Sequence, residues 1–157
     1  MDYIKLFDKL IGRGMCPLTI RLLLNMYTNQ QLQVKWNSCK SPKFKVTNGV
    51  RQGGVLSPRL FGVYIDELLE RLKINGAGCH IGHYFIGALG YADDIVLLCP
   101  SLSGLKDMIQ ICEVYAKEHN ILFNGKKSKY LIFGKYEYNA KLLLNNEVIL
   151  DAVVLNI

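Results

Sequence analysis

The N-terminal residues follow a helical pattern of apolar positions. Asp2 is a favoured N-cap residue, and apolar side chains then recur every three or four positions until Gly12 ends the pattern. Pro17 suits the first turn of a second helix. The inner face of this second helix is predicted to consist of Ile20, Leu23, Leu24 and Tyr27.

The period of the pattern changes to two after this helix. Apolar and polar residues alternate at Leu32, Val34 and Trp36, and again at Phe44 and Val46. The residues between these two runs, 37–42, have the composition of a turn. A hairpin with one solvated face is therefore expected.

The middle of the chain contains the longest helical pattern. Ser57 and Pro58 are the residue types of an N-cap and a first helical residue, and the pattern continues to about Lys73. One broad apolar stripe is predicted to consist of Phe61, Tyr64, Ile65, Leu68, Leu69 and Leu72.

The C-terminal half mixes strand and helix patterns. The apolar run Ile95 to Cys99 predicts a strand that is buried on both faces. Ser101 or Ser103 is expected to cap a helix that ends near Asn120. Short strands are predicted around Leu122, at Tyr130 to Phe133, at Val148 to Leu150 and at Val153 to Leu155. The whole pattern predicts one α+β domain over residues 1–157, with a mainly antiparallel sheet covered on one face by helices.

Composition restricts the partners and the compartment. The formal net charge of +6 favours a polyanionic partner, and the densest local cluster of cations is Lys126, Lys127 and Lys129. Five cysteines, odd in number and widely separated, indicate reduced thiols inside the cell. No apolar run is long enough to span a membrane, so an intracellular, soluble protein is expected.

Two clusters of side chains have the residue types of metal ligands. Cys79, His80 and His83 are residue types that bind zinc. Adjacent residues on a strand point to opposite faces, however, which disfavours a shared ion. Asp93 and Asp94 are adjacent at a turn, where two like charges repel each other unless a cation neutralises them. Hard carboxylate oxygens suit Mg²⁺, and such sites serve phosphoryl transfer. A solvated turn without function is the competing interpretation of the Asp-Asp pair.

Three sequence blocks resemble one enzyme family. The turn Tyr91-Ala92-Asp93-Asp94 is similar to the YxDD box of reverse transcriptases, in the YADD form typical of non-LTR (LINE-type) retrotransposons and group II introns. Residues 49–61, GVRQGGVLSPRLF, resemble the GVRQGxxLSPxLF motif of the same family. Residues 123–128, FNGKKS, resemble the segment that follows the family's long helix. The blocks occur in the family's order and cover roughly residues 1 to 135.

The resemblance implies part of the palm of an RNA-directed DNA polymerase. Asp93 would be the main Mg²⁺ ligand, and Asp94 would contact metal more weakly or through water. The substrates would be an RNA template, a DNA primer and deoxynucleoside triphosphates. Gln52 and Gly53 would line the nucleotide pocket, with Arg51 as a nearby phosphate or loop-ordering contact.

The resemblance also implies roles for a tyrosine and three lysines. Lys127 is the nearest match to the family's general-acid lysine, and Tyr91, Lys126 and Lys129 belong to the implied nucleotide or template surface. Interpretations without a functional role stay open. Arg51 could be a surface charge, and Gln52 could be a hydrogen-bond donor inside its own loop. The three lysines could belong to a solvated turn. Tyr91 is expected to pack beneath the turn.

The family's further catalytic aspartate has no counterpart in this sequence. That residue belongs to a strand before the first helix, and Asp2 matches an N-cap position instead. The fingers and thumb motifs are also missing, so we expect this chain to be inactive by itself. The alternatives are a non-catalytic relic that binds nucleic acid, and a fragment that aggregates because a sheet edge and a helix face are uncovered.

Overall fold

The structure is a computed structural model, and it describes residues 1–133 and 141–151. Four α-helices lie in this part of the chain: α1 (Tyr3–Gly12), α2 (Pro17–Thr28), α3 (Ser57–Asn75) and α4 (Leu102–Glu118). The predicted strand Val153 to Leu155 lies outside the described residues. None of the described helices has the length and apolar character that crossing a lipid bilayer requires.

The described strands are short, and they pair two at a time. They are β1 (Gln31–Leu32), β2 (Lys35–Trp36), β3 (Cys39–Lys40), β4 (Phe44–Lys45), β5 (His80–Ile81), β6 (Tyr84–Phe85), β7 (Ala88–Tyr91), β8 (Asp94–Leu97), β9 (Lys129–Tyr130), β10 (Leu143–Leu144), β11 (Glu147–Val148) and β12 (Leu150–Asp151). Antiparallel ladders join β1 to β4, β2 to β3, β5 to β6 and β10 to β11. The β9–β12 ladder is parallel, and β7 pairs with β8. The predicted α+β class with mainly antiparallel strands is confirmed.

The chain divides into two compact units. The first consists of residues 1–67 and 91–94, and the second of residues 68–90 and 95–157. The prediction that the chain is one domain stays a prediction, which cooperative unfolding in denaturant would test.

The first unit has a helical core. Its buried apolar side chains are Leu6, Phe7, Leu10, Leu23, Tyr27, Leu60, Tyr64 and Ile65. Asp2 caps α1 as predicted, because its carboxylate accepts a hydrogen bond from the Ile4 N–H at 2.9 Å. The Asp2 N–H donates to the Tyr64 hydroxyl at 3.0 Å, which ties the start of α1 to α3. The prediction that Leu24 lies on the inner face of α2 is wrong, since its neighbour Leu23 occupies that face and Leu24 is exposed.

The first unit also contains the strands β1 to β4. All residues from 31 to 40 are exposed, and between residues 41 and 46 only Ser41 and Val46 are partly buried. The hairpin is present as predicted, but both of its faces are solvated, so the expectation of a single solvated face is wrong. A two-stranded ribbon covers neither of its own faces, and no layer of the described residues lies against it.

The second unit buries α4 and the end of α3. Buried apolar side chains come from Leu68, Leu72, Met108, Ile109, Cys112, Tyr115 and Ala116. A further cluster joins Ile109 to Leu142, Leu144 and Ile149, and Leu97 packs against it. Ser101 rather than Ser103 caps α4, because its hydroxyl accepts from the Gly104 N–H at 3.1 Å. The strand predicted around Leu122 is wrong, since this exposed residue lies outside regular structure.

The apolar run that begins at Ile95 is not buried on both faces. Ile95 and Leu97 are partly buried, whereas Val96 between them is 51% exposed. The strand therefore has one packed side and one solvated side, as alternating side chains of a two-stranded hairpin require. The continuous apolar run led to the wrong prediction of two buried faces, because Val96 is apolar and yet exposed.

Candidate active site

The loop before α3 is a tight turn centred on Gln52 and Gly53. The Gly54 N–H donates to the Arg51 carbonyl at 3.0 Å, which closes a four-residue turn. Gly53 has φ of +77°, the left-handed backbone that the third position of a type II turn requires. Glycine adopts this conformation without the steric cost of a Cβ atom. The sequence GVRQGG thus encodes its own turn.

Ser57 locks this turn onto the start of α3. Its hydroxyl donates to the Arg51 carbonyl at 2.6 Å, and its N–H donates to the Gly54 carbonyl at 3.1 Å. The side chain is buried, so the bond is shielded from water. The prediction that Ser57 is the N-cap is wrong, because the helix already begins at Ser57 and the hydroxyl turns back to the loop.

Gly54 is closely packed inside the same turn. A Cβ atom at this position would lie 2.7 Å from the Ser57 Oγ and 3.1 Å from the Arg51 carbonyl oxygen. Contacts this short are incompatible with the present packing. The second glycine of the pair is therefore needed for space, whereas Gly53 is needed for its backbone angle.

Tyr3 holds the beginning of the loop. Its hydroxyl donates to the Gly49 carbonyl at 2.9 Å, and its ring packs edge-on against Tyr27 at 5.6 Å. Burial raises the pKa of Tyr3, and the nearby Tyr27 raises it further. Sequence analysis missed this contact, because residues 3 and 49 are far apart in the chain and no local pattern links them.

The side chains that the resemblance assigns to substrate are exposed on this ordered loop. Arg51 and Gln52 both lie at the surface, and neither has a side-chain hydrogen bond or ion pair with any residue that the structure describes. The interpretation of Gln52 as a donor within its own loop has no support here, because the backbone makes those bonds. Their roles at a nucleotide pocket stay predictions.

The carboxylate pair lies at the tip of the β7–β8 hairpin. Tyr91 is the last residue of β7, Ala92 and Asp93 form the turn, and Asp94 begins β8. Ala92 has φ of +51°, and a positive φ at the first turn residue is typical of two-residue hairpins. Both aspartates are exposed, and neither has a partner among residues 1–133 and 141–151.

Tyr91 does not pack beneath this turn. Its side chain is 84% exposed, so the expectation of a buried supporting ring is wrong. The ring extends into solvent from the end of β7. An exposed ring beside two carboxylates is consistent with a contact surface, and its role there stays a prediction.

The base of the hairpin is held by segments from elsewhere in the second unit. Leu98 follows β8, and its carbonyl accepts from the Cys79 N–H at 2.9 Å while its N–H donates to the Gly87 carbonyl at 2.7 Å. Gly78 and Gly87 lie back to back, since a Cβ on either would come within 2.7 Å of the other's Cα. The Phe85 ring lies equally close to both positions. Two glycines and one ring thus close the base of the hairpin.

The FNGKKS segment forms a compact turn around Asn124. The Asn124 carbonyl accepts from the Ser128 N–H at 3.0 Å and from the Ser128 hydroxyl at 2.9 Å, and its Oδ1 accepts from the Lys127 N–H at 3.1 Å. Gly125 is buried, and a Cβ there would meet Glu147 at 2.6 Å. The exposed side chains of Lys126, Lys127 and Lys129 therefore extend from an ordered backbone. Both the general-acid role and the solvated-turn interpretation of Lys127 stay open.

The cysteine and histidine residues around β5 have other contacts. The His80 ring packs edge-on against Phe85 at 5.3 Å, and its Nδ1 lies 3.0 Å from the Gly78 carbonyl. Among the described residues, no group of three or more His, Cys, Asp or Glu side chains is arranged to hold a metal ion. Asp93 and Asp94 have hard oxygen donors of the kind that suits Mg²⁺, and their role as metal ligands stays a prediction.

The glycine-rich loop and the carboxylate tip belong to the same compact unit. Residues 91–94 group with residues 1–67, which contain the Gln52 turn, although forty residues separate the two in sequence. Lys127 belongs to the second unit. The fold thus brings two of the three sequence blocks into one unit.

Comparison with known proteins identifies the family of the chain. The family model described as reverse transcriptase (RNA-dependent DNA polymerase) matches residues 5–143. The chain therefore belongs to the reverse transcriptase family, whose members use divalent metal ions, a nucleic-acid template and nucleotide substrates.

The relatives specify which kind of reverse transcriptase the chain resembles. It is 32% identical over 81% of its length to the Retrovirus-related Pol polyprotein from type-1 retrotransposable element R2 of Nasonia vitripennis. It is 28% identical over 69% of its length to the corresponding R2DM polyprotein of Drosophila melanogaster, and 28% identical over 85% to a 149 kDa transposon TX1 protein of Xenopus laevis. These matches confirm the predicted LINE-type, non-LTR class. The chain spans 13%, 10% and 10% of the lengths of these three proteins.

Proposed function

We propose that this chain contributes the carboxylate turn to the active site of an RNA-directed DNA polymerase. The observation that supports the proposal is the grouping of the exposed Asp93 and Asp94 with the ordered loop around Gln52 in one compact unit. The substrates would be an RNA template, a DNA primer and a deoxynucleoside triphosphate. Asp93 and Asp94 would hold Mg²⁺, with Asp93 as the main ligand.

Each part of the chain has a defined task in this proposal. Bound Mg²⁺ would supply activation of the primer hydroxyl and stabilisation of the leaving pyrophosphate. The aspartates place their oxygens at an exposed hairpin tip that substrate phosphates can reach. The Gln52–Gly53 turn presents backbone without a Cβ atom at Gly53, which permits close approach of a nucleotide. Arg51 adds a cation that can contact phosphate.

The roles proposed for the three lysines rest on the resemblance of the FNGKKS segment to the family. Lys127 can hold a proton at Nζ and face the pyrophosphate, while Lys126 and Lys129 contact phosphates of the template or primer. If Lys127 donates a proton from Nζ, Lys127→Gln should lower the rate of primer extension by the extended polypeptide described below. This loss should exceed the loss in Lys126→Gln. Equal losses in the two variants would support the solvated-turn interpretation instead.

We expect no primer extension by residues 1–157 alone. Two carboxylates at one hairpin tip supply only one side of a metal cage, and losing such electrostatic groups costs on the order of 10² to 10³ in rate for each group. The experiment uses an extended polypeptide, in which the fingers and first palm strand of an R2-type relative precede this chain. Extension should appear in that polypeptide and disappear in its Asp93→Ala variant. Robust extension by residues 1–157 would contradict the incomplete-cage argument.

A second candidate function is nucleic-acid binding without catalysis, which the excess of cationic over acidic residues favours. Phosphate contacts release counterions, so affinity for a primed template should fall steeply with added salt. In this case binding should be equal in the wild type and in Asp93→Asn/Asp94→Asn. A large loss of affinity in the double variant would show instead that metal at the aspartates organises the nucleic acid.

A further inference from the structure

Asparagine is followed by glycine at three places in the chain, namely Asn48-Gly49, Asn75-Gly76 and Asn124-Gly125. In such a pair the backbone nitrogen of the glycine can attack the side-chain amide carbon of the asparagine, because glycine has no Cβ atom to obstruct the approach. The attack requires the asparagine to rotate until its side chain faces that nitrogen. Hydrogen bonds to the pair oppose this rotation, so the fold determines which pair can react.

The pair at Asn75 is held at the end of α3. Asn75 is the last residue of this helix, and its side-chain oxygen accepts from the Ala77 N–H at 3.3 Å. The Gly76 N–H, which contains the attacking nitrogen, donates to the Lys73 carbonyl at 3.2 Å. The reaction would have to break both bonds and unwind the end of the helix.

The pair at Asn124 is held inside the FNGKKS turn. The Asn124 carbonyl accepts from the Ser128 N–H at 3.0 Å, from the Ser128 hydroxyl at 2.9 Å and from the Lys127 N–H at 3.2 Å. Its side-chain Oδ1 also accepts from the Lys127 N–H, at 3.1 Å. Gly125 is buried against Glu147. These contacts fix both the backbone and the side chain of Asn124.

The pair at Asn48 has none of these restraints. Asn48 is exposed, and neither its side chain nor its carbonyl has a hydrogen bond with any residue in the ranges 1–133 and 141–151. The Gly49 N–H has no acceptor in these ranges either. Gly49 is held through its carbonyl, which accepts from the Tyr3 hydroxyl at 2.9 Å. The side chain of Asn48 can therefore rotate toward the Gly49 nitrogen.

We propose that Asn48 is a site of spontaneous deamidation, at which the neutral amide converts to a carboxylate without an enzyme. The Gly49 nitrogen bonds to the Asn48 Cγ atom, the Cγ–Nδ2 bond breaks, and the amide group leaves as ammonia with the proton of the Gly49 N–H. Water then opens the cyclic imide at either of its carbonyl carbons, which gives aspartate or isoaspartate. The reaction needs no oxidant, metal or co-reactant other than water.

The product changes the charge of this part of the sequence. Residues 9–65 contain nine Lys and Arg residues and no Asp or Glu, so the new carboxylate would be the only acid in this stretch. It would lie at the start of the loop that leads to Arg51 and Gln52. An isoaspartate would also lengthen the backbone beside the Gly49 carbonyl that Tyr3 holds. The modification does not depend on the proposed polymerase function.

Incubation in water enriched in heavy oxygen records each reaction, because opening of the imide incorporates an oxygen atom from the solvent. Residues 1–157 are incubated folded and, separately, unfolded in guanidinium, and are then digested with trypsin in ordinary water for mass spectrometry. Asn48 lies in the tryptic peptide 46–51, which contains no other amide side chain. In the folded protein the rate at Asn48 should exceed the rates at Asn75 and Asn124 by about tenfold or more, because hydrogen bonds must open first at the other two pairs.

The unfolded protein is the control. All three pairs have the same reacting groups, so their rates should agree within about twofold in guanidinium, where the native hydrogen bonds are lost. Equal rates at the three pairs in the folded protein would overturn the proposal, as would the absence of label at Asn48. A preference for Asn48 that is the same in both states would mean that flanking sequence selects it, which contradicts the structural argument.

Two variants test the mechanism. Asn48→Gln should abolish labelling of the peptide 46–51, because the longer side chain must close a larger ring, and persistent labelling would overturn the assignment. Ser128→Ala removes the hydroxyl bond to the Asn124 carbonyl and should raise the rate at Asn124 about fivefold, with no change at Asn48. An unchanged rate at Asn124 would contradict the protective role of the hydrogen bonds.

Discussion

The glycine-rich loop and the carboxylate hairpin are stabilised in opposite ways. The turn of the loop makes its bonds within seven residues, from Arg51 to Ser57, and the distant Tyr3 bonds to the start of the loop at Gly49. The hairpin base depends on segments about ten and twenty residues away, because Leu98 bonds to Gly87 and to Cys79. The loop is thus specified locally, whereas the aspartates are positioned by long-range packing. Each element should therefore fail through different substitutions.

The largest effect is expected at the glycine pair behind the hairpin. Gly87→Ala places a Cβ atom against the Gly78 Cα at 2.6 Å and the Phe85 ring at 2.6 Å. Overpacking against backbone should cost about 3 kcal/mol of unfolding free energy, measured by denaturant titration. Gly90→Ala is the matched control, because its Cβ would meet only Leu69 at an ordinary 3.5 Å. Equal stability of the two variants would contradict the long-range account of the hairpin.

A smaller effect is expected inside the loop. Gly54→Ala should cost about 2 kcal/mol, because the new Cβ displaces the Ser57 hydroxyl and breaks its bond to the Arg51 carbonyl. The control is Gly62→Ala in α3, where nothing lies within 4 Å of the added Cβ and helix propensity favours alanine. Urea titrations of both variants give the comparison. A Gly54→Ala protein as stable as Gly62→Ala would mean that Ser57 does not lock the loop.

The ionisation of a buried thiol offers a third test. The site aspartates are exposed, whereas the thiol of Cys112 lies in the core. Burial raises the pKa of Cys112 from 9.0 to about 12, and the neighbouring Glu113 adds to the rise. The unfolded chain loses this proton first, so its contribution to stability is complete below pH 9 and is lost as the pH rises toward 12. Wild-type protein should lose about 1.4 kcal/mol at pH 10 through this group.

The variant Cys112→Ala isolates that contribution. The difference in unfolding free energy between pH 8 and pH 10 should be smaller in Cys112→Ala than in wild type, by about 1.4 kcal/mol. Cys39→Ala is the control, because Cys39 is exposed. If all three proteins show the same alkaline loss of stability, the thiol is not the responsible group.

The smallest effect is expected at the hairpin turn itself. Ala92 has φ of +51°, a conformation that costs an L-residue about 1 kcal/mol and costs glycine little. Ala92→Gly should therefore raise stability by a few tenths of a kcal/mol, since glycine also gains entropy in the unfolded chain. Thermal unfolding would measure this difference. A marked loss of stability would mean that the alanine methyl group makes contacts that the strain argument omits.

Local features of this protein were predictable from its sequence, and long-range ones were not. The Asp2 cap and the apolar stripe of α3 each depend on residues within a few positions of one another. The exposure of Val96 and Leu24 depends on what lies across the strand or helix, which periodicity does not specify. The Tyr3 contact with Gly49 and the Gly78–Gly87 approach also have no local signature.

The candidate site follows the same division. The residue types at Asp93, Asp94 and Gln52 were identified from motifs, and the structure places all three in one compact unit. The N-cap role of Ser57 and the packing of Tyr91 beneath its turn were both predicted incorrectly, because a motif names residues without giving the direction of their side chains. The roles of the site residues in catalysis stay predictions.

The most direct test of the central claim is a change of metal preference in the extended polypeptide. Asp93→Cys replaces a hard oxygen donor with a thiolate, which favours softer ions than Mg²⁺. We expect primer extension with Mg²⁺ to fall on the order of 10² to 10³, with partial recovery in Mn²⁺ or Cd²⁺. Asp107→Cys, at an exposed position of α4, should extend normally in Mg²⁺. Wild-type extension by Asp93→Cys in Mg²⁺ would contradict the assignment of Asp93 as a metal ligand.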